Sequence, residues 1–182
     1  KRKYLLRVLN QKLQNLSLLP PSNKRIKMRI RKARKEDYKK IGKIYFEATV
    51  DEVKLQFPKR SKLSIIKEVN KWKEDRIKEF KKEVYSKNNY WLIAEINGKI
   101  IGFANADINK NKEGRFTMLY IKREFRRKGI GKKLTTERLK WLKKMNAKNI
   151  EAGPYIKNKS SISNLKKFGF KPISIRMVKK LK

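Results

Sequence analysis

Residues 90–96 read YWLIAEI, residues 97 and 98 are Asn and Gly, and residues 99–108 read KIIGFANADI. Two strand-like runs joined by two residues can only fold back on each other. Asn-Gly is the pair that most readily takes the type I′ turn favoured by the twist of paired strands. An antiparallel hairpin is therefore the fixed point from which the rest of the chain is read.

Before the hairpin, MRIRKA (28–33) alternates like a short strand. Glu36 and Asp37 stand where a helix N-terminus favours negative charge. Asp37, Ile41, Ile44 and Ala48 follow at helical spacing, and Pro58 ends that pattern. A second helix is predicted over roughly 61–86, carrying Ile65, Ile66, Val69, Trp72, Ile77, Phe80 and Val84. After the hairpin, NKNKEG makes a looser connection to RFTMLYI (115–121), apolar enough for a central strand. A helix is predicted from about Gly129 to Met145, then a short strand NIEAG (149–153) and a helix near 158–167. Gly169-Phe170 follows, and a last strand is expected to carry Ile173, Ile175, Met177 and Val178. The order is β-α-α-β-β-β-α-β-α-β: an α/β (α+β) chain whose sheet is mixed and mostly antiparallel.

Residues 1–27 stand apart from a domain expected over 28–182. Leu6, Leu9, Leu13 and Leu16 fall at helical spacing among Lys1, Arg2, Lys3, Arg7 and Lys12, and Pro20-Pro21 ends the segment. Two readings stay open. The helix docks on the domain or on a second copy of the chain, making a homodimer. Alternatively it anchors to RNA, a ribosome or an anionic membrane surface.

The 182 residues hold neither cysteine nor histidine. Thiolate nucleophiles, Cys/His zinc sites, Ser-His-Asp triads and histidine bases are excluded, so proton transfer falls to Asp, Glu, Tyr, Lys, water or the backbone. No metal is expected. The net charge of +37 suits polyanionic partners. With no apolar run near the ~20 residues of a membrane span and nothing resembling a secretory signal, a cytoplasmic location is expected.

One motif carries chemistry. Residues 123–134 read REFRRKGIGKKL, with Gly129 and Gly131 at the first turn of the helix predicted there. Amides at a helix start have no intrahelical partner and the helix dipole favours an anion. Two missing Cβ atoms let a diphosphate approach that backbone. Arg126, Arg127, Lys128, Lys132 and Lys133 can add charge-assisted contacts. The spacing is neither the dinucleotide-binding G-x-G-x-x-G nor a P-loop.

The whole stretch LYIKREFRRKGIGKKL (119–134) resembles the acetyl-CoA signature of the GNAT superfamily of N-acetyltransferases, in which an apolar strand leads to Arg/Gln-x-x-Gly-x-Gly/Ala and a helix. Leu119, Tyr120, Ile121, Arg126, Gly129 and Gly131 occupy those positions. The resemblance runs over about 28–181: MRIRKARKEDYKKI looks like the family's opening strand and helix, and Asn158 with FGF (168–170) like its closing segment. It implies acetyl-CoA as co-substrate, held by Met118, Leu119, Tyr120 and Ile121 along the pantetheine. It further implies contacts from Arg126, Arg127, Lys128, Gly129, Ile130, Gly131, Lys132 and Asn158. It implies direct attack by an amine on the thioester, without a covalent enzyme intermediate.

Two departures matter. Leu165 stands where many members carry a tyrosine that protonates the departing thiolate, and no acid occurs from Arg115 to Arg123, where some carry a base. Tyr120, Tyr155 and Glu151 are the candidate catalytic groups, with Glu95 and Asp107 the other acids inside predicted strands. A lysine amine of pKa ~10.4 costs ~4.6 kcal/mol to deprotonate at pH 7, and an α-amino group of pKa ~7.8 only ~1 kcal/mol. An α-amino group, or an acidic or RNA-associated substrate, is the expected acceptor. The alternative is a GNAT-like module of weak turnover that binds RNA or a ribosome through its basic surface.

Overall fold

The alternation of residues 28–33 becomes β1 (Met28–Lys32). It runs antiparallel to β2 (Asn89–Ile96), with Met28 opposite Ile96 and Lys32 opposite Leu92. The structure, a computed structural model, describes residues 28–175, 177 and 179. The helix expected within residues 1–27 lies outside the described residues. Asn97 and Gly98 take φ 49° and 73°, the two positive angles of a type I′ turn, and lead into β3 (Lys99–Ile108). β4 (Glu113–Ile121) lies antiparallel to β3. β5 (Asn149–Ala152) lies parallel to β4. The strand order is β1-β2-β3-β4-β5, the mixed, mostly antiparallel sheet that the element order implied.

Both faces of this sheet are covered. On one, α1 (Tyr38–Gln56) and α3 (Lys73–Tyr85) bury Ile41, Ile44 and Phe80 against Trp91, Ile93 and Phe103. On the other, α4 (Ile130–Lys144) buries Ile130 and Leu134 against Leu92, Ala94, Ile101 and Ala104. Farther along that face, Leu142 of α4 and Leu165 of α5 (Lys159–Lys166) close on Ala106, Ile108 and Phe116. Burial of this kind contributes ~25 cal/mol for each Å² removed from water.

Asp37 fixes the entry to α1. It is 2% exposed and accepts from Arg31 Nη1 at 2.6 Å, Arg31 Nη2 at 3.2 Å and the Arg34 amide at 2.7 Å. Arg31 also reaches Glu95 on β2 at 2.9 Å, so Glu95 is a structural partner and not an outward-facing free acid.

Two expectations are corrected. The helix predicted over 61–86 is two helices, α2 (Lys62–Lys71) and α3, parted at Trp72, whose φ of −114° and ψ of 8° leave the helical region. The break lets Ile65 and Val69 wrap the far end of α1 around Val50 while Phe80 reaches the sheet. A single straight helix cannot serve both surfaces. The strand expected at the end of the chain is not formed by residues 171–175. Ile173, Ile175 and Met177 are 86%, 77% and 88% exposed, and Val178 lies outside the described residues. Alternation assigns side chains to faces, but a strand also needs a paired edge, and β5 is only four residues long.

Candidate active site

The site begins where β4 and β5 part. Their parallel register runs from Glu113 opposite Asn149 to Phe116 opposite Ala152 and then stops. At the same point the β3–β4 register shifts: Asn105 faces Met118 but Ala106 faces Phe116, leaving Thr117 as an extra residue on β4. Such a bulge bends a strand and increases its twist. Beyond it, residues 117–121 keep β3 on one side and, among the described residues, have no strand on the other.

The polarity of this open edge follows from the backbone. The Lys122 amide donates to the Ile101 carbonyl of β3 at 2.9 Å. The Tyr120 carbonyl oxygen lies so close to Gly102 that a Cβ there would stand 2.7 Å away. Residues 118, 120 and 122 thus turn their backbone groups toward β3, and by the two-residue alternation of a strand Leu119 and Ile121 turn theirs toward the opening. Arg126 Nε confirms the second by donating to the Ile121 carbonyl at 2.8 Å.

The chain then reaches α4 through a 3-10 turn, Arg123–Phe125, whose Phe125 is buried as an anchor. Gly129 precedes the helix at φ 74°, and a Cβ at Gly131 would meet only Ile121 Cδ1 at 3.5 Å. Around these glycines Arg126, Arg127, Lys128 and Lys132 are exposed. Ile130 is 3% exposed, so only its backbone is available at the turn. The turn has the donors, the space and the charge of an anion site.

The remaining candidates are dispersed. Asn158 caps α5, its Oδ1 accepting from the Ser161 amide at 3.1 Å. Tyr155 is 48% exposed in the loop after β5. Glu151 is exposed and sits beside Arg115 in the β4–β5 register, on the paired side of the opening. Arg115 itself is held by Asp107 at 2.9 Å. Leu165 is buried against Phe116 and Leu142 and brings no hydroxyl to the opening.

Tyr120 is the exception. Its hydroxyl donates to Asp51 Oδ2 at 3.1 Å, and burial, then Asp51, push its pKa well above the usual tyrosine range. Asp51 also accepts from Arg123 Nη2 at 2.7 Å and from Arg126 Nη2 at 3.3 Å. One helical turn earlier on α1, Glu47 makes a looser pair with Lys122 Nζ at 3.8 Å. Burial pushes the Glu47 carboxyl up, Lys122 opposes this, and Glu124 and Asp51 add to the rise. Reading acids only inside predicted strands misses Glu47 and Asp51. The signal available was their four-residue spacing on the predicted first helix.

The pattern of the Acetyltransferase (GNAT) family matches residues 46–170. The chain belongs to this family. An uncharacterised N-acetyltransferase of Methanocaldococcus jannaschii is 28% identical over 102 residues, which are 50% of this chain and 45% of that protein. The chain thus spans less than half the length of this curated relative. The PaiA N-acetyltransferase of Thermoplasma acidophilum, solved with coenzyme A, is 25% identical with a TM-score of 0.65, over 80% of this chain and 91% of that one. An acetyltransferase of Clostridium acetobutylicum solved with acetyl-CoA is 19% identical with a TM-score of 0.66, over 85% of this chain and 96% of that one. An aminoglycoside N-acetyltransferase solved with CoA is 15% identical with a TM-score of 0.61, over 89% and 99%. The last two similarities establish the shared fold. Nothing in these comparisons favours the reading as a weak-turnover module that binds RNA or a ribosome. No helix among the described residues is long and apolar enough to cross a membrane.

Proposed function

We propose that this GNAT protein transfers the acetyl group of acetyl-CoA to an amine within a ternary complex. The observation that supports it most is the open edge of β4 leading directly into the glycine turn at the start of α4. The amides of residues 127–132 and the side chains of Arg126, Arg127, Lys128 and Lys132 take the diphosphate. Along Met118 to Ile121, the backbone groups that Leu119 and Ile121 turn to the opening take the pantetheine as an added strand would be taken, and the Leu119 amide donates to the thioester carbonyl. Asn158 serves by capping α5 at the far side of the opening.

The chemistry balances without histidine or cysteine. The neutral amine nitrogen forms a bond to the thioester carbon, and the developing oxyanion is held by the Leu119 amide. The C–S bond breaks, CoA leaves as its thiolate, and one proton leaves the nitrogen. A single preorganised donor of this kind contributes ~3–4 kcal/mol. Glu47 takes the amine proton: it lies one helical turn from Asp51, the partner of Tyr120, its pKa is raised, and among the described residues it pairs with Lys122 alone, loosely. Asp51 is committed to Arg123, Arg126 and Tyr120 and instead holds α1 against β4. Tyr120, kept neutral, shapes the acceptor side, and water protonates the thiolate. The acceptor we propose is an α-amino group, the amine least costly to deprotonate near neutral pH.

The test is calorimetry with CoA and acetyl-CoA, followed by thiol release across a panel of amines. Binding of both ligands, weakened at least about tenfold in Gly131→Glu, with release that depends on the amine, is the expected result. A protein that binds neither ligand sinks the proposal.

A further inference from the structure

α4 buries Ile130, Leu134, Arg138 and Leu142 at four-residue steps, with Thr135 beside them. Of the four at those steps, three are apolar and one is a cation. Arg138 is 2% exposed. Its Nη1 donates to the carbonyl oxygens of Asn105 and Met118, each at 3.2 Å. Its Nη2 donates to Thr135 Oγ1 at 3.2 Å. The guanidinium carbon lies 3.9 Å from the centre of the Phe116 ring.

No carboxylate pairs with Arg138 among the described residues, and the remaining residues of the chain contain no Asp or Glu. Among the described residues the buried Arg138 Nε has no acceptor. Burial pulls the arginine down to about 9, which still leaves it charged at neutral pH. A buried cation with no carboxylate partner and an unsatisfied donor of its own is a poor way to hold a core together, and an apolar side chain of similar volume holds it at least as well.

What the cation touches gives it a use. The Met118 carbonyl points toward β3 at the bulge. In a trans peptide the amide of the next residue points the opposite way, so the Leu119 N–H faces the opening where β5 has left. We propose that Arg138 is a positioning residue for acetyl transfer: bonded to the Met118 carbonyl, it polarises the Met118–Leu119 peptide and makes the Leu119 amide a stronger donor to the thioester carbonyl. Charge withdrawn at one end of an amide sharpens the donor at the other, and hydrogen bonds in a chain polarise one another in this sense. The inference rests on the coenzyme reading given above and adds a specific charged group behind it.

Three proteins test it: the unaltered chain, Arg138→Met and Arg138→Lys. The probe is acetyl-CoA isotope-labelled at the thioester carbonyl, read by the infrared stretch of that carbonyl when bound. Calorimetry with CoA and a thermal melt accompany it. In the unaltered chain the stretch moves to lower frequency on binding. Arg138→Met loses at least about half of that displacement, Arg138→Lys keeps most of it, and both bind CoA within about threefold of the unaltered chain. The melting temperature of Arg138→Met is unchanged or higher, which a merely structural role for the arginine would not produce. Should Arg138→Met fail to fold, Arg138→Gln puts a neutral donor in place of the guanidinium and is expected to shrink the displacement in the same way. Full displacement in a folded Arg138→Met or Arg138→Gln overturns the proposal, as does equal loss in the Met and Lys variants. If CoA binds but the carbonyl of the unaltered chain is not displaced, this inference fails while the coenzyme reading stands. If CoA does not bind, both fail.

Discussion

The Tyr120 hydroxyl donates to Asp51 Oδ2 at 3.1 Å, tying the open strand of the sheet to the first helix across 69 residues of sequence. Asp51 gathers Arg123 and Arg126 at the same time, so one carboxylate sets α1, the open end of β4 and the start of the glycine turn against one another. Tyr120→Phe is expected to lower stability by about 1–2 kcal/mol, the cost of losing a hydrogen bond to a charged group in a half-buried place. Urea denaturation measures this, and CoA affinity is expected to change little.

Gly131→Glu is expected to leave the fold intact, because a Cβ there meets only Ile121 Cδ1 at ordinary contact distance. It places a negative charge where the diphosphate is proposed to rest. CoA affinity should fall by at least about tenfold, or ~1.4 kcal/mol, in calorimetry, with an unchanged circular dichroism spectrum. Unaltered affinity moves the nucleotide away from this turn.

Glu47→Gln is expected to reduce kcat/KM by about a hundredfold or more, the lower range for a positioned base, once an accepted amine is in hand. The direction with pH follows from burial raising the carboxyl. The base works only when ionised, so the rate should climb with pH through that raised value, and the variant should lose this limb of the profile. A retained limb assigns it to another group.

Asp37 gives the pH dependence of stability. Its burial alone would raise the carboxyl, but the Arg31 side chain and the Arg34 amide outweigh burial and hold it below its usual value. Between the folded and the usual values the unfolded chain binds more protons, so stability rises with pH through that window. The contribution is complete above about pH 4 and lost as pH falls through the folded value. Asp37→Asn should be less stable at neutral pH and show a shallower acid limb in thermal melts. Equal slopes in the two proteins exclude Asp37 as the source.

Much of this protein is legible without coordinates. The Asn97-Gly98 hairpin, the strand at 115–121, the glycine turn and the helix behind it follow from local chemistry, because turns, helix starts and alternation depend on residues within a few positions of one another. The likeness to the GNAT signature rests on that same contiguous stretch, and the match over residues 46–170 supports it.

Tertiary structure decided the rest, where the cause lies far away in sequence. The helix expected over 61–86 divides at Trp72 because its halves serve two different surfaces, and alternation in 173–177 makes no strand among the described residues because no edge receives it. The parting of β4 from β5 comes where β4 slips by one residue against β3 at Thr117. Asp51 meets Tyr120, and Arg138 meets the Met118 carbonyl, only because the sheet carries α1 on one face and α4 on the other. Local patterns specify which way a side chain points; the packed layers alone specify what it points at.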